Sequence, residues 1–146
     1  MTKIQKQAGF TLIEILVVIG IIAILATIVL IAINPARQFK QARDTQRTSN
    51  VNAILNAIGQ YIADNKGTIP LSITAIDQDI SNGAANLCTN LVPKYLPALP
   101  FDPSATITDC TSGTYDTKYN VKKDSSSDRI TVSAPFGELA SISVTR

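Results

Sequence analysis

The sequence Gly9-Phe10-Thr11-Leu12-Ile13-Glu14 opens an apolar run that continues to Ile33, and Glu14 is the only charged residue in that run. A helix rises about 1.5 Å per residue and a bilayer core needs roughly 20 apolar residues, so the run is long enough to span a membrane. A carboxylate inside such a segment costs on the order of 2.5 kcal/mol unless a cation meets it. No Lys or Arg occurs between Lys6 and Arg37. The missing cation must come from processing, from another molecule, or from both.

Two simpler interpretations of this segment explain less of it. An ordinary secretory signal has an apolar core of about 7–15 residues followed by a small-x-small cleavage site, and the run from Phe10 to Ile33 is much longer. A plain signal anchor, with Glu14 extending toward the interface, fits the length. It gives no role to the Gly9-Phe10 junction or to the buried acid.

The charged leader, the Gly9-Phe10 junction, Thr11-Leu12-Ile13-Glu14 and the apolar helix together resemble the prepilin signal of the type IV pilin and type II secretion pseudopilin superfamily. In that family a membrane-embedded prepilin peptidase cuts after the Gly on the cytoplasmic side and methylates the new amine. The resemblance implies cleavage between Gly9 and Phe10 and N-methylation of Phe10. It also implies that Glu14 pairs with the Phe10 ammonium of a neighbouring subunit in a helical filament.

The same resemblance implies the partners and the location of the chain. The partners are an assembly platform protein and a cytoplasmic assembly ATPase, with membrane lipid around the helix before assembly. The leader is expected in the cytoplasm and the C-terminal head outside it, with the filament at the cell surface or in the periplasm.

The charge balance argues against nucleic acid as the main partner. The formal net charge of +2 lies in the leader, whose only ionisable side chains are Lys3 and Lys6, and removing them leaves 13 − 2 = 11 basic residues against 11 acidic ones. Binding to a phosphate backbone needs a concentrated basic surface. An overall neutral chain makes such a surface less expected, although a local basic patch is still compatible with it.

A basic stretch follows the apolar run and conflicts with a simple topology rule. Arg37, Lys40, Arg43 and Arg47 outnumber the leader's lysines, so counting positive charges places the C-terminal side inside. We give precedence to the prepilin resemblance, and to two cysteines that suit an oxidising compartment.

Two roles remain open for these four basic residues. On a helix, Arg37, Lys40, Asp44 and Arg47 project to roughly the same side as the later apolar stripe. They either contact a neighbouring subunit or lipid headgroups, or form a solvated face with Asp44 paired to Lys40 or Arg47.

Turn and helix signals divide the chain into four segments: a leader at 1–9, a membrane helix at 10–33, its amphipathic continuation at 34–66, and a globular head at 67–146. Asn34-Pro35 predicts a kink or restart, because Pro inside a helix removes a hydrogen bond. Gly67 suits the left-handed position that closes a helix. The continuation carries an apolar stripe at three- and four-residue steps, formed by Val51, Ile54, Leu55, Ile58 and Ile62.

Beyond Gly67 the sequence predicts a connection followed by three strands. The segment from Leu91 to Pro103 resembles the loop after the long helix in major pseudopilins and related pilins. Apolar and polar residues then alternate at about Lys118 to Lys122, Arg129 to Ala134 and Glu138 to Thr145, as in a sheet with one buried face. The fold class is therefore α+β, a small antiparallel sheet on a long helix, which agrees with the pilin fold.

Cys88 and Cys110 are the only cysteines. In an exported domain such a pair most simply forms one disulfide, whereas free thiols are the alternative in the cytosol. A metal site is disfavoured, because the chain has no histidine and only these two sulfur ligands.

The loop from Asp124 to Asp128 invites comparison with the calcium loop of major pseudopilins. Oxygen ligands suit calcium, but two carboxylates around three serines also suit a solvated turn, and the turn is the preferred interpretation. No cofactor is expected.

The residues favour a structural subunit over an enzyme. Without histidine there is no imidazole base, and neither paired carboxylates nor a Gly-rich phosphate loop is present. A pilus subunit is preferred over a secretion pseudopilin, and a monomeric membrane-anchored binding module is the alternative from another class.

Overall fold

The computed structural model describes residues 9–107, 109–111 and 113–146. Apart from Gly9, the predicted leader therefore lies outside the described residues. The chain divides into two compact units, Met1–Gln38 and Phe39–Arg146. We call the second unit the head.

The first unit contains helix α1, Leu12–Ile33. Thr11 caps it, since its Oγ1 accepts a hydrogen bond from the Glu14 amide at 3.3 Å. In the described part of the chain, α1 is the one helix long and apolar enough to cross a membrane.

The predicted break between the two helices is present at Asn34. This residue takes the left-handed conformation, with φ 48° and ψ 79°. Its Oδ1 accepts a hydrogen bond from the Arg37 amide at 3.3 Å, so it also caps helix α2, Pro35–Asp64. Pro35 is tolerated there because the first turn of a helix has no partner for its missing amide proton.

Helix α2 packs its apolar stripe into the core of the head. Val51, Ile54 and Ile58 are fully buried, and Leu55 is nearly so. After the helix, Gly67 has φ 86°, as the sequence predicts, and its amide donates to the Ile62 carbonyl at 2.8 Å. This closes the end of the helix in the left-handed manner that glycine favours.

The remainder of the head is a short helix and an antiparallel sheet. In chain order the elements are strand β1 at Gln78–Ser81, helix α3 at Cys88–Leu91, and strands β2 at Asp116–Lys123, β3 at Ile130–Ala134 and β4 at Ile142–Thr145. The strands pair in the order β1-β2-β3-β4. The register places Val121 opposite Val132, and Val132 opposite Val144.

The sheet corrects the sequence prediction in two places. It has four strands among the described residues rather than three, because β1 lies in the segment interpreted as a connection. Strand β4 begins at Ile142 and not near Glu138. The amides of Glu138 and Leu139 donate to the Asp44 carboxylate at 2.9 and 2.7 Å, which holds this segment outside the sheet.

The core lies between the stripe of α2 and the inner face of the sheet. The alternation predicted for the strands holds, since Tyr119, Val121, Ile130 and Val132 are buried. Ile142 and Val144 are partly buried because they belong to an edge strand. The segment from β1 to α3 closes the core with side chains that include Ile80, Leu87 and Leu91.

Candidate functional site

The N-terminal residues place a single acid at the start of an apolar helix. Glu14 lies in the first turn of α1, where a negative charge interacts favourably with the helix dipole. Phe10 precedes the helix and its side chain is 80% exposed. Glu14 is exposed and takes part in no ion pair among the described residues.

Helix α1 is apolar around its whole circumference. None of its 22 residues is buried within the chain. A helix with this composition is stable when lipid or other apolar helices surround it. Its surface therefore suits a bilayer or a bundle of apolar helices.

The head contains a partly buried network of charges that we call the ionic cluster: Arg43, Asp44, Arg47, Asp102 and Glu138. Arg47 is 2% exposed and binds Asp102 with two hydrogen bonds, from Nε to Oδ2 at 2.6 Å and from Nη2 to Oδ1 at 3.1 Å. Its Nη1 donates to Asp44 Oδ1 at 2.9 Å and to Glu138 Oε1 at 3.2 Å.

Arg43 completes the ionic cluster at its solvent side. Its Nε and Nη2 donate to the two carboxylate oxygens of Glu138 at 2.5 and 2.7 Å. The cluster thus joins α2 to two distant segments, the one around Asp102 and the one between β3 and β4. Bidentate pairs of this kind fix geometry as well as charge.

The ionic cluster favours the charged form of every carboxyl group in it. Hydrogen bonds from Arg43 lower the pKa of Glu138 to about 2. The Glu138 amide is the main cause of the lowered pKa of Asp44. Burial opposes ionisation of Asp102, but hydrogen bonds from Arg47 and Ser104 outweigh it, so the pKa of Asp102 is also lowered.

A disulfide joins α3 to the part of the chain that follows the segment from Leu91 to Pro103. Cys88 and Cys110 are bonded, with Sγ atoms 1.96 Å and Cα atoms 5.9 Å apart. The Cys88 amide donates to the buried Tyr115 hydroxyl at 3.3 Å, which fixes α3 against the start of β2. The pairing predicted from the cysteine count is confirmed.

Comparisons with known proteins give one family motif and one relative. The model of the prokaryotic N-terminal methylation motif matches residues 4–30. Over 88 residues the chain is 36% identical to the type IV wide pilus major component PilA4 of Thermus thermophilus. The aligned region covers 60% of this chain and 66% of that relative, just under two thirds of the relative's length. Both matches support the resemblance to the type IV pilin superfamily. No solved structure matches the chain.

The structure separates the four basic residues that the sequence grouped together. Arg47 is not available for an intersubunit or lipid contact, because it is buried and bound to three carboxylates. Its pairing with Asp44 agrees with the local alternative. Arg43 is committed to Glu138. Arg37 and Lys40 are exposed and have no ion pair within the described residues, so only they retain the proposed contact role.

The two calcium candidates of the head have other partners. Asp124 Oδ1 accepts four hydrogen bonds, from the amides and hydroxyls of Ser126 and Ser127, at 2.6 to 2.9 Å. Asp128 lies 3.1 Å from Lys123 Nζ. No group of three or more potential ligands occurs in the part of the chain that the structure describes. The contacts of Asp124 are those of a turn whose acid accepts hydrogen bonds from its own backbone and serines.

Sequence reasoning missed Asp102 and Glu138, the acids that the arginines bind. In the sequence, Asp102 was noted only as part of the segment from Leu91 to Pro103. Glu138 was predicted to begin a strand. The one available signal was an acid between Phe101 and Pro103, in a segment that resembles a loop of pilins and pseudopilins. It did not indicate which cation the acid binds.

Proposed function

We propose that this chain is a structural subunit of a type IV pilus-like filament, stored in the membrane through α1 and polymerised after processing between Gly9 and Phe10. The observation that carries the proposal is α1 itself, an apolar helix of 22 residues with no buried face and one acid near its start. The methylation motif and the similarity to a pilus major component support the same function.

The chemistry of assembly follows from one cut. Cleavage after Gly9 creates an amine on Phe10, and methylation leaves its positive charge in place. In an apolar bundle an unpaired Glu14 carboxylate is costly, so a subunit gains most where its acid meets the ammonium of a neighbour. This pairing fixes the axial register. Head-to-tail repetition of a contact that does not close produces a filament.

The proposed partners act at successive stages. A prepilin peptidase processes the leader, and a platform protein and a cytoplasmic ATPase drive extraction from the lipid. The leader is cytoplasmic and the head is outside, where a disulfide between Cys88 and Cys110 persists. In this proposal the chain is a substrate of an enzyme and not itself an enzyme.

Intact mass and N-terminal sequencing of filaments sheared from cells test the processing step. The expected chain begins at N-methylated Phe10. A chain that still begins at Met1, in a cell with active prepilin peptidase, would contradict the proposal.

Replacing Glu14 by Gln tests the assembly step. Glu14→Gln is expected to be processed and membrane-stored normally but to yield at least about tenfold fewer filaments, since 1.4 kcal/mol of lost contact energy is tenfold. Thr27→Val is the matched control in the same helix, because the Thr27 hydroxyl only bonds the Ala23 carbonyl of its own helix. Equal filament yields from the two variants would rule out the proposed pairing.

A secretion pseudopilin is the second candidate. The segment from Leu91 to Pro103 favours it, because this segment resembles a loop of major pseudopilins. Electron microscopy of sheared surface material distinguishes the two. Long surface filaments support the pilus, filaments confined to the periplasm support the pseudopilin, and a chain that forms none is a monomeric membrane-anchored module.

A further inference from the structure

A polar cleft lies on the outer face of the sheet, beside the turn between β2 and β3. The register places Lys122 opposite Thr131, and Thr131 opposite Thr145, so three polar side chains form a row across β2, β3 and β4. They point outward because the alternating residues Val121 and Val132 are buried. The cleft has a volume of about 430 Å³. Ligand sites span roughly 300–1,000 Å³.

Three cations line this cleft: Lys122, Lys123 and Arg129. Lys123 is paired with Asp128 at 3.1 Å. Lys122 and Arg129 are exposed and take part in no ion pair among the residues that the structure describes. They therefore differ from Arg43 and Arg47, whose charges are neutralised inside the ionic cluster.

One acid, Asp124, also lines the cleft. Its Oδ1 accepts four hydrogen bonds from Ser126 and Ser127 of its own turn, which hold the pKa of Asp124 well below its usual range. The three cations and the carboxylates of Asp124 and Asp128 sum to 3 − 2 = +1. The local field is therefore positive although the mature chain as a whole is neutral.

The threonine row adds a neutral donor to the cleft. The hydroxyls of Thr131 and Thr145 lie 2.8 Å apart, so one donates to the other. The hydroxyl that accepts this bond keeps its own proton free for a ligand. An ammonium, a planar guanidinium and a hydroxyl proton on one face match the oxygens of a tetrahedral anion.

We propose that the cleft formed by Lys122, Arg129 and the Thr131–Thr145 pair is a binding site for a phosphate group. The site goes beyond the proposed assembly function, because it uses none of the residues of α1 or of the ionic cluster. Lys122 and Arg129 supply the charge, and the threonine hydroxyl supplies orientation. The phosphate group is either free inorganic phosphate or a phosphate ester.

Titration of the full-length chain in neutral detergent with inorganic phosphate, followed by amide NMR spectra, tests the site. The ionic strength is held constant by exchange with chloride, because exposed charges are screened by salt. Phosphate is expected to shift the amide signals of residues 122–131 and 145, and chloride is not. Glycerol 3-phosphate forms a second arm. A response to both identifies a site open to esters, and a response to phosphate alone identifies the free ion.

Variants with a matched control decide the assignment. Lys122→Gln and Arg129→Gln are each expected to weaken phosphate binding several-fold, and together about tenfold or more. Lys66→Gln removes the same charge from an exposed position outside the cleft and is expected to leave the affinity within about twofold. All three positions are exposed, so folded spectra are expected throughout. Equal shifts with chloride, or an affinity unchanged in the double variant, would overturn the proposal.

Discussion

Arg47 is the residue in which burial and charge conflict most strongly. A buried guanidinium is stable only when carboxylates replace the water it has lost. Arg47 meets this condition through Asp102, Asp44 and Glu138. The net stabilisation from these ion pairs is small. Removing one partner is costly, because it leaves the other charge buried without compensation.

Arg47→Gln is expected to lower the free energy of unfolding by about 3 kcal/mol or more, because it leaves the buried carboxylate of Asp102 without its cation. Chemical denaturation in neutral detergent, followed by near-ultraviolet circular dichroism, measures the change. Arg37→Gln is the control at an exposed position and should stay within about 0.5 kcal/mol of the wild type. The double variant with Asp102→Asn should lose less than the sum of the two single changes. Additive losses would argue against direct coupling.

Acid should destabilise the head through the same residues. The pKa of Glu138 is about 2 in the folded chain against 4.5 when unperturbed, and those of Asp44 and Asp102 are also lowered. The folded state therefore binds fewer protons than the unfolded state, and stability increases with pH in this range. We expect a melting temperature that is constant above about pH 5 and falls between pH 4.5 and pH 2. Glu138→Gln should flatten part of that fall. A profile of equal slope in both proteins would contradict the role of Glu138.

The sequence placed Arg47 correctly on the side of α2 that carries the apolar stripe, but it could not identify the partners. Asp102 is 55 residues away and Glu138 is 91 residues away. Local pattern specifies which face of a helix is covered. It contains no information about which of the distant acids covers it, so a contact with another molecule stayed open as an alternative to local pairing with Asp44.

At the scale of elements, the apolar periodicity of the sequence predicted those helices and strands that are long enough to display it. Helix α2 has 30 residues and β2 has 8, and both were predicted. Strand β1 has 4 residues, one of them buried, and its pairing with β2 is irregular between Asp79 and Ser81. Such a segment carries too little alternation to be recognised. It joins the sheet because its neighbour β2 offers a free edge.

The disulfide is the covalent link between two elements of the head that have little regular structure of their own. Cys88 and Cys110 are separated by 22 residues in sequence. A loop of this size is expected to stabilise the fold by about 3 kcal/mol through restriction of the unfolded chain. Cys88→Ala with Cys110→Ala should therefore lower the free energy of unfolding by about that amount. Denaturation of wild type with and without reductant provides the comparison, and a reduced wild type as stable as the oxidised one would refute it.

At the scale of the whole molecule, the charges fall into two groups with different tasks. Those of the ionic cluster are used within the head. Arg37 and Lys40 have no ion pair in the described residues and follow the apolar helix directly. In the proposed membrane-stored state they lie within reach of lipid headgroups. We propose that in the filament the same charges contact a neighbouring subunit.

Arg37→Gln with Lys40→Gln is expected to reduce filament yield while leaving cleavage after Gly9 intact, because the contact is proposed to act after processing. Immunoblots of sheared filaments and of the membrane fraction measure the two quantities. Lys66→Gln with Lys94→Gln removes the same charge from two other exposed positions of the head and should give the wild-type yield. A normal yield from the first pair would exclude the contact role for these residues.

The ionic cluster also has a consequence for the order in which the head folds. Arg43 and Glu138 are separated by 95 residues. Contacts between distant residues form slowly, because closing a long loop costs entropy before the contact returns any energy. Helix α2 can form from local hydrogen bonds as soon as it is synthesised, and Arg47 then already has Asp44 one turn away in the same helix. Arg43 must wait for Glu138 in the last segment of the head. Throughout that interval α2 presents Arg43 without its partner, and any acidic molecule that meets the nascent chain competes with the head's own C-terminal segment for it.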